Sequence, residues 1–282
     1  MQILSANPEL GRHFSIIVYD NSPQPQSSDV VARLPVRYKH DPTNAGLAMA
    51  YNFALDHAVE DRSEWLLLID QDTAVTYGFL TELLACAETL RVQPQVASIV
   101  PKLLVDGRIH SPTEHFVDQL RHQYRRPNHG VSRQIVGIQE RRLCAYNSGA
   151  ALRVSALRSI GGFPGEYWLD YLDHAVFHAL FVRGYRMYVL RAEIKHDASQ
   201  AAVSRVPAWR QRNLLLAQSR FVRQTGNILD RLLYRIWLLR YSRILWMRHP
   251  DKHLWREALL EALSLNRRTE QAPTSHRISQ DL

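Results

Sequence analysis

The sequence is poor in cysteine: only Cys86 and Cys144 occur among its 282 residues. The two lie far apart and lack the short spacing of zinc-binding cysteine pairs. Two cysteines are also too few for the disulfide frameworks that stabilise small secreted domains. Cysteine usage therefore indicates a reducing compartment.

Long hydrophobic runs are lacking as well. No stretch approaches the roughly 20 consecutive apolar residues that a transmembrane helix requires. The first residues, MQILSANPELGRHF, have neither the basic n-region nor the apolar h-region of a signal peptide. We therefore expect a cytoplasmic protein.

Acidic residues are outnumbered, with 27 Asp and Glu against 35 Lys and Arg, which gives a formal net charge of +8. This excess favours anionic partners, namely nucleotide diphosphates, lipid phosphates, acidic membranes or nucleic acid. Charge alone does not choose among them. The sequence has neither zinc-finger spacing nor an aromatic RNA-binding strand, so we do not predict nucleic-acid binding.

Short apolar runs are present, and they alternate with segments of helical periodicity. Strands are predicted at residues 14–19, 65–69, 96–100 and 185–190, and helices at 44–59, 77–91, 154–160 and 169–183. This alternation is typical of an α/β fold with a mostly parallel sheet flanked by helices. Pro101 is predicted to end its strand, residues 106–142 to be irregular, and His196 to lie in a loop.

Beyond about residue 207 the pattern changes to basic amphipathic helices, predicted at 209–225, 228–247 and 253–265, followed by a polar tail. We therefore divide the chain into a domain at 1–206 and a helical region at 207–282. Trp and Tyr interleaved with Arg suit an anionic membrane surface. An apolar stripe also packs on its own domain or on a second copy, and we favour packing or a homo-oligomer. Peripheral contact with the inner face of the cell membrane is the alternative.

Acidic turns follow two of the predicted strands. Asp70-Gln71-Asp72 ends the run WLLLI, and Asp20 ends FSIIVY. Asp-X-Asp places two carboxylates on one side of an extended chain. Mg²⁺ and Mn²⁺ prefer such oxygen ligands and can bridge diphosphate oxygens. The same residues could instead cap the next helix.

Six motifs occur in a characteristic order: IIVYDNS, NAGLAMAYNFAL, WLLLIDQDT, NSGAALRVSALRSIGGF, WLDYLDHAVFHALFVRGY and IKHD. Together they resemble the inverting family-2 glycosyltransferases of GT-A fold, especially bacterial rhamnosyltransferase-like members, over about residues 14–196. The resemblance implies transfer of a sugar from a nucleotide-diphosphate donor to a glycan or lipid-linked acceptor in polysaccharide biosynthesis. It also implies a divalent cation, Mn²⁺ or Mg²⁺.

The resemblance assigns roles to the donor side of the site. Asp20 would hold the nucleobase or ribose, and Asn44 and Gly46 would shape the loop beneath the nucleotide. Asp70 would contact the ribose or sugar and help bind the metal, and Asp72 would ligate the metal. Asn44 and Gly46 also suit a helix cap and a tight turn.

Further roles follow for residues nearer the acceptor. Ser148 and Gly149 match a small-residue turn beside the donor phosphates, although small residues there also permit close packing. Asp173 corresponds to the catalytic base, and Asp170 would lie one helical turn earlier with its carboxylate pointing the same way. His196 matches a histidine that lies near the metal in some relatives. It could instead be polar surface.

The sequence departs from the family pattern in two places. The first family strand is absent before FSIIVYDNS, and His174, Ala175 and Ala179 replace the usual continuation after the catalytic carboxylate. The alternative function is therefore a truncated or inactive relative that binds a nucleotide or a partner protein. A nucleotidyltransferase would need a Gly-rich phosphate loop at its first strand, and the sequence has none.

Overall fold

The computed structural model describes residues 2–26, 35–123, 133–196, 207–251 and 253–264. It separates into two compact units, Met1–Arg205 and Val206–Leu282. The predicted polar tail at 265–282 lies outside the described residues. The helices are α1 (Gln2–Ala6), α2 (Pro8–Gly11), α3 (Leu47–Glu60), α4 (Tyr77–Leu90), α5 (Phe116–Gln123), α6 (Val154–Ser159), α7 (Leu172–Val182), α8 (Ala208–Thr225), α9 (Ile228–Arg248) and α10 (Leu254–Ser264). The strands are β1 (Ile16–Asp20), β2 (Val36–His40), β3 (Trp65–Leu67), β4 (Thr73–Ala74), β5 (Val96–Val105), β6 (Arg108–Ser111), β7 (Thr113–Glu114), β8 (Gly137–Gln139), β9 (Leu143–Cys144), β10 (Ala151–Arg153) and β11 (Arg186–His196).

A mixed seven-stranded sheet forms the centre of the first unit, in the order β3-β10-β5-β11-β4, with β6 paired to β5 and β8 to β11. Strand β5 pairs parallel with β11 and antiparallel with β10. Its sequence VASIVPKLLV is buried at nearly every position, as expected for a strand with neighbours on both sides and helices on its faces. The α/β class predicted from the alternating pattern is confirmed.

Strand β5 does not end at Pro101, so that prediction is wrong. The strand continues to Val105. Its pairing with β11 shifts register at this point, because Val100 pairs with Val189 whereas Lys102 pairs with Glu193. Proline has no backbone N–H to donate to the neighbouring strand, and strands tolerate proline where the pairing is irregular.

Residues 106–142 were predicted to be irregular, and this prediction is also wrong in part. Short elements β6, β7, α5 and β8 lie within the described part of that segment. The two-residue strand β7 pairs antiparallel with β9. The pairings of β7 and β8 are long-range and brief, so the local sequence carries too little periodicity to indicate them. Strand β6 instead pairs with β5 across the local Asp106-Gly107 turn, whose two residues have positive φ.

Strands β1 and β2 form a separate two-stranded parallel sheet. Among the described residues, β1 pairs only with β2, and β3 pairs only with β10. Helix α3 packs against both β1 and β3. Because β1 has a single strand neighbour, its apolar residues from Ile16 to Tyr19 are half-exposed rather than buried as the sequence predicts.

Arg153 ties the edge of the sheet to helix α4. Its buried guanidinium donates from Nε to the carbonyl of Val96 at 2.8 Å and from Nη2 to that of Leu90 at 2.9 Å. It also forms an ion pair with Glu64 and stacks 4.2 Å from the ring centroid of Trp65. A buried guanidinium whose donors are satisfied in this way fixes the position of β3, which leads into the acidic turn.

The second unit is a helical assembly of α8, α9 and α10. Asn227 and Asp230 form a capping box at the start of α9. Buried Tyr234 contacts Ser219 at 3.0 Å, and Arg223 pairs with Glu261 at 3.0 Å. Within the described ranges, no helix is both long and apolar enough to cross a membrane.

Candidate active site

The Asp70–Asp72 turn follows β3 and leads into β4, and it is fastened to the chain segment before β10. Leu68 donates its N–H to the carbonyl of Ala150 at 2.9 Å, and Gly149 donates to the carbonyl of Leu68 at 2.7 Å. These bonds extend the β3–β10 pairing by backbone contacts beyond the strand ends. The turn therefore has a fixed position at the edge of the sheet.

A chain of polar contacts connects this turn to the end of β11. The N–H of Asp70 donates to Ser148 Oγ at 2.9 Å, and Ser148 Oγ contacts Thr73 Oγ1. Thr73 Oγ1 lies 3.0 Å from His196 Nδ1, which lies 3.5 Å from Asp72 Oδ1. His196 is the last residue of β11 and pairs with Thr73, so its predicted loop position is wrong. Four predicted site residues thus lie in one network.

Asp70 occupies an unfavourable electrostatic environment. Desolvation by burial raises the pKa of this carboxyl, and the negative charges of Asp72 and Asp173 raise it further. A hydrogen bond from the Tyr51 hydroxyl to Asp70 Oδ1, at 3.0 Å, and the neighbouring His196 partly oppose the rise. A bound cation would relieve the remaining repulsion.

The residues of the turn fit a divalent cation. The Asp72 side chain is 44% exposed and offers carboxylate oxygens, and His196 offers a ring nitrogen close by. Their 3.5 Å separation is near the roughly 3 Å between adjacent ligands of an octahedral Mg²⁺ or Mn²⁺ ion. Asp72, with Asp70 and His196 beside it, could therefore hold such an ion against a diphosphate.

Asp173 lies in the first turn of α7, far from the acidic turn in sequence. Its carboxylate accepts a hydrogen bond from the N–H of His174 at 2.7 Å. Its charge contributes to the raised pKa values of Tyr51, Asp70 and Tyr146. The fold therefore brings Asp173 into the electrostatic neighbourhood of the Asp70–Asp72 turn.

Asp170 does not lie one helical turn before Asp173, so the shared-face prediction is wrong. Helix α7 begins at Leu172. Tyr171, which precedes it, has a left-handed φ of 65° and breaks the helical path. The sequence LDYLDHAVF shows helical spacing, but one residue with positive φ redirects the chain before it.

The Asn44–Gly46 loop is held by Trp168, a residue that sequence reasoning missed. Trp168 Nε1 donates to the carbonyl of Asn44 at 3.0 Å, and the N–H of Leu47 donates to the carbonyl of Trp168 at 2.8 Å. Gly46 has a φ of 92°, and a Cβ there would lie 2.3 Å from the indole. The contact therefore requires glycine, and it joins this loop to the segment that carries Asp170 and Asp173.

The Asp20 carboxylate forms its hydrogen bonds with the loop that follows it and with the neighbouring strand β2. It accepts hydrogen bonds from the Tyr38 hydroxyl, from the N–H of Ser22 at 2.9 Å and from the N–H of Gln26 at 2.7 Å. These bonds, chiefly that from Tyr38, hold the pKa of Asp20 well below its usual range. The geometry supports loop organisation, and the contact with a nucleobase stays a prediction.

Gly149 is explained by packing in this structure. It has a φ of 81°, and a Cβ there would lie 2.9 Å from Pro101 Cγ and 3.0 Å from Ile194 Cδ1. The alternative considered from sequence, close packing of small residues, therefore accounts for this glycine. Ser148, beside it, holds the acidic turn through its hydroxyl.

Tyr51 and Thr73 are two further residues of the site that sequence reasoning did not single out. Tyr51 is a buried residue of α3, and an aromatic residue within an apolar helical segment indicates a core position rather than a site. Thr73 directly follows the Asp-X-Asp motif. Its place in the sequence, directly after two candidate metal ligands, is the signal that could have identified it.

Known proteins resemble this chain in sequence and in structure. A family model described as glycosyl transferase family 2 matches residues 3–161, more than half of the chain. No curated protein sequence matches the chain. The crystal structure of S. aureus TarS 1-349 is 15% identical with a TM-score of 0.48, and the match covers 90% of this chain and 80% of that one. A second crystal structure of S. aureus TarS is 13% identical with a TM-score of 0.46, and the match covers 90% of this chain and 48% of that one. The matched family model, together with the mixed sheet flanked by helices, shows that this chain belongs to glycosyl transferase family 2 and has the GT-A α/β fold.

Proposed function

We propose that the protein transfers a sugar, with inversion, from a nucleotide-diphosphate donor to an acceptor hydroxyl, and that it depends on a divalent cation. The observation that carries the proposal is the Asp70–Asp72 turn, which Ser148 and Thr73 connect to His196, with the charge of Asp173 acting on Asp70. Like charges are costly to place together. Binding of a cation, and of a transition state with positive charge on the sugar, would offset the repulsion between these carboxylates.

On the donor side, Asp72 and His196 hold the cation and Asp70 faces the ribose or sugar. When bound, Mn²⁺ or Mg²⁺ offsets the negative charge on the diphosphate leaving group. Ser148 fixes the turn through the N–H of Asp70, and Trp168 fixes the loop beneath the nucleotide. These contacts set the donor position before reaction, which is the main contribution of a preorganised site.

On the acceptor side, Asp173 takes the proton from the attacking hydroxyl. The oxygen then bonds to the anomeric carbon from the face opposite the diphosphate, whose bond to that carbon breaks. This single displacement inverts the configuration and passes through an oxocarbenium-like transition state. The half-buried position of Asp173 limits water access, and Asp170 is the second acidic residue assigned to this side.

The motifs support a rhamnosyltransferase-like specificity, with a glycan or lipid-linked acceptor. The exposed face of α9 supports peripheral binding to an anionic membrane, where a lipid-linked acceptor would lie. Leu232, Leu239 and Trp246 are exposed on this helix beside Arg240 and Arg243. The same face could associate with a second copy.

A catalytically inactive relative that binds a nucleotide or a partner protein is the second candidate. Strand β1 has a single neighbour among the described residues, which leaves an edge that a partner strand could pair with. The Asp20 carboxylate accepts hydrogen bonds from its own loop, which favours the partner-binding form of this candidate. Such a protein would transfer no sugar.

The first prediction concerns the cation. Nucleoside diphosphates should bind more tightly in Mn²⁺ than in chelator, and Asp72→Asn should remove this difference. Affinity in Mn²⁺ should fall about tenfold or more, equivalent to about 1.4 kcal/mol, because a charged ligand is lost. Calorimetric titration with uridine, guanosine and thymidine diphosphates measures it. Asp56→Asn, the same substitution at an exposed site on α3, is the control. Equal affinity in Mn²⁺ and chelator for the parent protein would contradict cation binding at the turn.

The second prediction concerns the base. Asp173→Asn should lower turnover by about 10²–10⁴-fold, the usual contribution of general-base catalysis, while donor affinity changes little. Sugar transfer and nucleoside diphosphate binding are measured on the same preparation. Transfer at the parent rate would show that Asp173 is not the base.

The third prediction concerns Asp70. Its pKa is raised in the folded state, so at neutral pH the ionised carboxylate destabilises the fold relative to the unfolded chain. Asp70→Asn keeps an acceptor for Tyr51 and should melt at the same or a higher temperature at pH 7, with weaker donor binding. The gain should disappear as the pH falls toward the ordinary value of 3.8, where the parent carboxyl is protonated. A variant that melts several degrees lower at pH 7 is the opposite result.

A further inference from the structure

A second group of potential ligands lies beside the candidate base and is chemically different from the acidic turn. Cys144 of β9 faces Asp173 and His174 at the start of α7. A sulfur, a carboxylate oxygen and a ring nitrogen from these three residues all lie within 4.8 Å of one another. Cys144 is buried, and the other two are half-buried.

We propose that Cys144, Asp173 and His174 form an inhibitory zinc site, separate from the cation site at Asp72. Thiolate, imidazole and carboxylate are the ligands that Zn²⁺ uses in proteins, whereas Mg²⁺ prefers oxygen ligands and does not favour thiolate. Ligand atoms on one tetrahedral zinc lie about 3.5 Å apart. The three side chains therefore need only a modest contraction to bind the ion.

The aromatic surroundings fix the orientation of His174. Its ring stacks on that of Tyr171 at a centroid distance of 4.7 Å and an angle of 23°, and Phe116 packs edge-on at 6.4 Å. Such outer contacts hold a ligand ring in place and strengthen metal binding.

A further imidazole, that of His115, lies near His174 but outside this group of three ligand atoms. It is fully buried, and its ring centroid lies 6.1 Å from that of His174. Two imidazoles bound to one tetrahedral zinc have centroids about 5 Å apart, so His115 would have to move closer to bind the same ion. The fourth position is therefore assigned to water.

The local charge balance also favours zinc. Two anionic ligands, the Cys144 thiolate and the Asp173 carboxylate, neutralise Zn²⁺, so the complex carries no net charge in a buried setting. The nearby cation Arg142 is already balanced by Asp118, whose two oxygens accept from it at 3.0 and 2.8 Å. On binding, a bond forms between Cys144 sulfur and zinc, and the thiol proton passes to solvent. No atom is oxidised or reduced.

The functional consequence rests on the proposed role of Asp173. A carboxylate that is bound to zinc cannot accept a proton from the acceptor hydroxyl. Zinc would therefore stop transfer at a place where Mn²⁺ and Mg²⁺ do not bind, because neither favours a thiolate ligand. The site would make the enzyme sensitive to free zinc.

Binding is tested on the full chain, freed of metal by chelation, by zinc titration against a chromogenic indicator. Cobalt substitution provides a second readout, because a thiolate ligand gives cobalt a near-ultraviolet charge-transfer band. We expect one zinc per chain and this band. Cys144→Ser should weaken zinc binding by about 100-fold or more and abolish the band, since loss of even an outer contact costs about 10–100-fold. Cys86→Ser, at the other cysteine, should change neither.

If Cys144→Ser does not fold, because its hydroxyl is buried without a partner, Cys144→Ala replaces it in both measurements. A parent protein whose cobalt complex lacks the thiolate band, or a Cys144 variant that binds zinc as tightly as the parent, would overturn the site.

Inhibition is measured as transfer in saturating Mn²⁺ with increasing zinc. The parent and Cys86→Ser should lose activity as zinc binds, whereas Cys144→Ser should be as active without zinc and resist it. Equal inhibition of Cys144→Ser would place the zinc effect at the acidic turn and overturn the proposal. Thiolate-bound zinc in a protein that shows no transfer under any condition would support the site but contradict the proposed function.

Discussion

Burial of the Asp70 carboxylate beside the charges of Asp72 and Asp173 is the constraint on which the candidate site depends. Burial and the two neighbouring charges raise the pKa of Asp70, so the folded protein holds an ionised group where it is disfavoured. Such an arrangement persists only when the surrounding structure enforces it. Under the proposed function, this cost is offset by positive charge, supplied by a cation and by the developing oxocarbenium character of a sugar.

The enforcing structure is a set of long-range ties rather than any single strong interaction. Ser148 fixes the backbone of the acidic turn, and Thr73 connects it to His196 at the end of β11. Trp168 holds the Asn44–Gly46 loop to the segment before α7. The Asn44–Gly46 loop, the acidic turn and the segment before α7 are therefore positioned by contacts between parts of the chain that are distant in sequence, and displacement of one element would change the geometry of the others.

The sequence predicted the α/β class, the Asp-X-Asp turn after an apolar strand, and the place of Asp173 on a later helix, because apolar periodicity and ordered motifs carry this information. It did not predict that β5 runs through Pro101, because the register shift of its partner strand is a tertiary feature. It also misplaced Asp170, because the left-handed Tyr171 has no local signature. The contact between Gly46 and Trp168 was also missed. Gly46 was recognised as a turn residue, but Trp168 belongs to a motif that is distant in sequence.

The central claim is that the Asp72 turn and Asp173 lie on opposite sides of one reacting carbon, with a cation on the Asp72 side. Anomalous diffraction at the manganese edge, from crystals grown with Mn²⁺ and a bound nucleoside diphosphate, locates the ion directly. The account predicts a manganese peak within bonding distance of Asp72 and the diphosphate oxygens, with the Asp173 carboxylate facing the terminal phosphate across an open space of sugar size. A nucleotide bound without a manganese peak at Asp72, or an Asp173 carboxylate directed away from the phosphate, would contradict it.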